Sequence, residues 1–364
     1  MTSIYGLPNR LTVDILVIVL VIGVAITIWH RYRATRRSRL SIAAYPGLAR
    51  INRWTLVLRY AGIVLGLLTL PIAAVAGHFD MGTVMLPAVM GCTVEACLIA
   101  GELICFRDAR QPGVAALELR QPGRYLPAKP IAALGSAIVV FAAVMGWCWH
   151  LSAPDGQTFA VSVVNLPASL GPCGFFGGPF FGPHYSVPIG IGLLVTLVLT
   201  GVGLAVVARR PRNGADPVLA AWDDGLRRRS ARAMLATATA AVGASLAVAG
   251  VAMSNGYSLA SQFASNWATS CGLQDQLGVG TYIYAPAYGV FFEPITGAIC
   301  VLVVVAGILL ALWGAILLLG DFAPKPPRKC TVPASPAGCA PTTALTTPPQ
   351  ADAPAPAATE GVAS

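Results

Sequence analysis

The chain has 364 residues, of which 56% are hydrophobic and only 11% charged, with a mean hydropathy of +0.70. These values exclude the two soluble domains that length alone would indicate. The net charge of +9 is not a nucleic-acid footprint, because the basic residues are gathered in a few segments between apolar runs, where their natural counter-surface is anionic lipid headgroups.

The apolar runs are 11–29, 60–78, 82–105, 131–149, 187–208, 233–253 and 294–319. A bilayer core of about 30 Å takes about 20 apolar residues in a helix, and backbone polar groups in hydrocarbon must bond within their own segment. The runs therefore predict an all-α polytopic membrane protein with seven transmembrane helices. Threaded in order, they leave Arg10 as the one exception among the 24 lysines and arginines to a single-sided distribution. Basic loops stay cytoplasmic during insertion, so the expected orientation has the N-terminus outside and the C-terminus cytoplasmic. The first run is followed, not preceded, by its positive charges (Arg31, Arg33, Arg36, Arg37 and Arg39). It reads as an uncleaved anchor, not a cleaved signal. Residues 1–320 form the transmembrane domain. The Pro/Ala/Thr-rich stretch 321–364 has too few bulky apolar residues to build a core and reads as a disordered cytoplasmic tail.

Two long outer loops, near 150–186 and 254–292, contain no Lys or Arg, and each carries one Cys-Gly pair, Cys173-Gly174 and Cys271-Gly272. Similar inner segments precede both. The pattern allows a parallel duplication covering 107–208 and 209–320, distinct from the inverted repeats common in transporters. In the second inner segment, Asp216 is a candidate N-cap with Pro217 at the first helical position. Asp223 with Arg227 and Asp224 with Arg228 are favourable i, i+4 pairs. Val218, Trp222 and Leu226 share one face, which suits either a helix lying at the inner membrane interface or a solvated linker helix.

Glu95 and Glu102 are the most unusual residues, since both fall inside the third run, where a charge is expensive and normally faces protein or water. They lie seven apart on one helical face, with Cys92 on the same side. If the preceding hairpin turns at Asp80-Met81, Arg59 is level with Glu102 and Glu95 with Gly66. One reading makes Glu95 a proton- or cation-linked transport site. The other makes Arg59–Glu102 a hairpin-holding pair and Glu95 a hydrogen-bonded structural group. Cys173 and Cys271 are the two outer-loop cysteines, and the oxidising side of the membrane makes a disulfide between them the natural expectation. Phe175, Phe176, Phe180, Phe181, Trp267 and Tyr284 are candidates for an apolar site on the outer face, with an interfacial aromatic belt as the plainer alternative. No metal site is expected: His78, His150 and His184 are scattered, and Cys330 and Cys339 have no companion His.

No His-Glu-x-x-His, phosphate-binding Gly-Lys-Ser/Thr loop or Gly-x-Ser-x-Gly elbow is present. Asp223-Asp224-Gly225 with Arg227-Arg228-Arg229 resembles the start of the CDP-alcohol phosphotransferase motif. The further aspartates that family needs are absent, Ala238 and Val242 standing in that region. No cofactor is expected. The leading reading is a non-catalytic accessory or interaction protein of a bacterial plasma membrane, with anionic lipid and an unidentified membrane protein as partners and no nucleic acid. A small-molecule or ion transporter using Glu95 comes second, and a lipid-active membrane enzyme third.

Overall fold

The computed structural model describes residues 46–76, 80–108, 127–163, 174–177, 180–210, 217–270, 283–285, 289–291 and 293–320. All fall within one compact unit. Six helices account for most of them: α1 (Pro46–Ala76), α2 (Asp80–Asp108), α3 (Ala128–Leu151), α4 (Pro183–Arg209), α5 (Pro217–Ser270) and α6 (Glu293–Gly320). Each holds a segment long and apolar enough to cross a membrane. The first apolar run, 11–29, and the tail 321–364 lie outside the described residues.

Four short strands add what the all-α expectation lacked: β1 (Phe159–Val163), β2 (Gly174–Gly177), β3 (Ile283–Ala285) and β4 (Gly289–Phe291), in the order β2-β1-β3-β4. All pairings are antiparallel. Ser162 opposite Tyr284 and Val163 opposite Ile283 join the two hairpins. The sheet therefore ties together the α3–α4 and α5–α6 connections.

α5 is the hub. In its apolar segment 72% of residues are buried, against 22–44% in the other five. At 1.5 Å per residue, 54 residues give about 80 Å of helix, far more than a bilayer core. This corrects the expectation of a separate inner amphipathic helix. Residues 217–232 continue into the span, and Trp222 and Leu226 pack on Leu48, Ile51 and Cys105 instead of lying on lipid or in water. The helix also runs on to Ser270, taking over the first half of the expected outer loop.

Small residues set the closest approaches. A Cβ added to Gly243 would lie 2.6 Å from the backbone nitrogen of Ala311, one on Gly307 2.4 Å from that of Ala247, and one on Gly314 2.7 Å from that of Ala240. With Gly250 against Val303 and Val304, these contacts form an antiparallel seam at alternating spacings of four and three, which lets the α5 and α6 backbones almost touch. α1 packs along α2 as a hairpin, but shifted by up to about a turn from the register expected for a turn at Asp80-Met81, since Asp80 already begins α2: Gly62 lies over Val94 and Cys97, Gly66 over Met90 and Val94, and Gly101 over Thr55 and Leu58.

At the sheet end, a tight turn after α3 seats two phenylalanines. Asp155 accepts from the Gln157 and Thr158 amides and from the Thr158 hydroxyl. Gly156 takes the left-handed conformation that glycine tolerates (φ 68°). Its carbonyl accepts from the His184 amide, and a Cβ on Gly182 would meet that carbonyl at 2.4 Å. Phe180 then packs on Phe159, and Phe181 on Phe141.

Candidate functional site

Two buried carboxylates, Glu95 and Glu102, lie on one face of α2, the face turned to α4 and α5. Small residues bring those helices close: Gly192 lies against Ala88, Gly91 against Ala241 and Thr196, and Gly203 against Met234 and Ile99. Without that closeness no short side chain on α4 would reach a glutamate on α2.

Glu95 is 0% exposed. Its Oε1 lies 2.9 Å from Thr200 Oγ1, and its Oε2 has no hydrogen-bond partner among the described residues. Thr200 Oγ1 is also 2.9 Å from the Thr196 carbonyl. One turn earlier, the Thr196 hydroxyl meets the Cys92 thiol at 3.2 Å and the Gly192 carbonyl at 3.0 Å. Cys92, Glu95, Thr196 and Thr200 thus form a short polar column in otherwise apolar surroundings.

Two turns along α2, at the arginine-rich end, Glu102 is 1% exposed and lies in an ionic network. It accepts from Arg210 at 3.0 Å and from the Ser230 hydroxyl. Arg210 also pairs with Asp223, and Asp223 pairs with Arg227 at 2.8 Å. Two carboxylates and two guanidiniums, all buried, balance each other's charge. Arg210, just past the apolar part of α4, is held above even the usual arginine range. Burial alone would lower it, but the carboxylates of Glu102 and then Asp223 outweigh that effect. Nearby, Arg229 donates to Asn52 at 2.7 Å and ties α5 to α1.

The expected Arg59–Glu102 pair is corrected. α1 packs on a different face of α2 from the one carrying Glu95 and Glu102, and Arg59 donates to the Leu318 carbonyl on α6 at 3.1 Å. Glu102 takes Arg210 and Ser230 instead. The expected Asp223–Arg227 pair is present, but inside the bundle.

The candidate outer apolar site is divided. Phe180 and Phe181 are core residues, 2% and 0% exposed, so they cannot form part of an open surface. Phe175 and Phe176 lie on β2 and Tyr284 on β3 of the same sheet, while Trp267 lies near the end of α5. The side chains of these four are outside the description. Cys173 and Cys271 likewise lie outside the described residues. Among the described cysteines, Cys92, Cys97, Cys105, Cys148 and Cys300 are not in disulfides. Among the described residues no cluster of three His, Cys, Asp or Glu side chains could hold a metal ion.

Sequence reasoning missed Arg210, Ser230, Thr196 and Thr200. The threonine pair left a trace, two hydroxyls four residues apart in an apolar run. No protein-family model, curated protein or solved structure matches the chain.

Proposed function

We infer that the chain is a multi-pass plasma-membrane protein with seven spans, the N-terminus outside and the C-terminus cytoplasmic, serving as a non-catalytic accessory or interaction component of a bacterial envelope. The observation that carries this reading is how the buried polar groups are used. Glu102, Arg210, Asp223 and Arg227 are consumed by one another in the packed bundle, and Glu95 has no exposed surface. Polar residues that line a substrate path face a cavity or water. The cytoplasmic placement of the arginine end is supported by exposed Arg50, Arg53, Arg228 and Arg232, well placed for anionic headgroups.

A parallel duplication of 107–208 and 209–320 is supported by a shared element order, helix–strand–strand–helix, with β1 and β3 meeting at the centre of the sheet. The halves differ in packing, since α5 and α6 press together along their lengths while α3 and α4 touch little. A Cys173–Cys271 disulfide is supported by the strand pairing that joins the two loops containing them.

Transport linked to Glu95 is the second reading, favoured by the unpartnered Oε2. Purified protein in proteoliposomes separates the two. The accessory reading predicts no proton or cation flux above that of empty vesicles. Flux that Glu95→Gln abolishes at equal protein abundance would establish the transporter reading.

A further inference from the structure

We propose that Glu95 is a neutral carboxylic acid that donates its proton to Thr200, which makes the middle of α2 a proton-binding site.

The argument is a count of hydrogens. Thr200 Oγ1 has two oxygen neighbours at equal distance, Glu95 Oε1 and the Thr196 carbonyl, each 2.9 Å away. A threonine hydroxyl has one hydrogen. If Glu95 were ionised, both neighbours would be pure acceptors, and one of the two short contacts would contain no hydrogen. A proton on Glu95 Oε1 removes the conflict. Glu95 donates to Thr200, and Thr200 donates to the Thr196 carbonyl, the back-bond that threonine commonly makes in a helix. Every contact then has one hydrogen.

The surroundings agree. Among the described residues Oε2 has no donor, which a neutral carboxyl tolerates far better than a charged one in a site with 0% exposure. The charged and thiol groups of the packed elements have other partners or sit elsewhere. On α1, Arg59 donates to Leu318. Beyond α4, Arg210 binds Glu102 and Asp223. On α5, Asp223 and Arg227 bind each other. On α2 itself, Cys92 contacts Thr196, and Cys97 lies on the α1 side. Glu102, seven residues away, provides the contrast: its two oxygens meet two separate donors, Arg210 and Ser230. The same helix face thus holds one compensated charge and one protonated acid.

The inference is independent of the choice between accessory and transport roles, because both can begin from a neutral carboxyl. Its test is infrared spectroscopy of the purified protein at neutral and mildly alkaline pH. The wild-type minus Glu95→Gln difference should contain the C=O stretch of one protonated carboxyl, retained at both pH values. Thr200→Val should move that band to higher frequency without removing it, as the hydrogen bond is lost. If Glu95→Gln fails to fold, wild-type protein with ¹³C-labelled glutamate carboxyls must show the same acid band. A difference spectrum containing only carboxylate bands overturns the proposal. So does an acid band that disappears when sodium replaces choline, which would make the site one for a monovalent cation.

Discussion

A buried carboxylate is tolerated when donors reach both of its oxygens, and Glu102 is in that position. Asp223 is the keystone of its network, because it contacts both Arg210 and Arg227. Asp223→Asn keeps the shape but leaves two buried guanidiniums facing one remaining carboxylate. Breaking a buried pair in this way costs about 3–5 kcal/mol. The variant should therefore show a large loss of thermal stability in detergent, whereas Arg228→Gln, on an exposed arginine of the same helix, should be near neutral. Equal stability of the two variants would mean that the network contributes nothing. The two glutamates were legible in the sequence because a charge inside an apolar run is conspicuous. Their partners were not, because Thr200 and Arg210 lie more than a hundred residues away in sequence. Which face of α2 met which helix depended on packing that no local pattern encodes, and that is why Arg59 was paired wrongly.

At the scale of elements, the α5–α6 seam sets how closely the bundle closes. Gly243→Val would drive a branched side chain into the α6 backbone, for which overpacking costs about 1–3 kcal/mol or more. Reduced thermal stability and lower membrane abundance are expected. Gly201→Ala is the control, since a Cβ there meets nothing within 4 Å, and it should be neutral or slightly stabilising through helix propensity. Wild-type behaviour of Gly243→Val would show that the two helices do not approach as described. Helix locations were readable from hydropathy, but α5 was cut short at both ends. Its first fifteen or so residues are polar enough to end a hydropathy run, yet Ala, Leu and Arg are strong helix formers, and Asp223, Arg227 and Arg229 among them are buried by neighbouring helices. The continuation past Tyr257 is polar too, and nothing in its composition separates a helical extension from a loop.

At the scale of the whole molecule, the sheet escaped the sequence reading because its strands are only three to five residues long and set among Gly, Pro and aromatic residues that read as loop. Its central pairing, β1 with β3, is non-local. The spans themselves were legible because the bilayer sets a length that α-helices must meet, and the single-sided arginines gave an orientation. The proposed orientation puts the sheet outside and the arginine end in the cytoplasm. Whole cells labelled with a membrane-impermeant thiol reagent, with and without prior reduction, test it directly, with the modified cysteines located by mass spectrometry. In that orientation Cys173 and Cys271 should label from outside only after reduction, while Cys330 and Cys339 should label only after the membrane is opened. Labelling of Cys173 and Cys271 without reduction would remove the disulfide and leave the orientation standing. Labelling of Cys330 and Cys339 on intact cells, with Cys173 and Cys271 protected even after reduction, would contradict it.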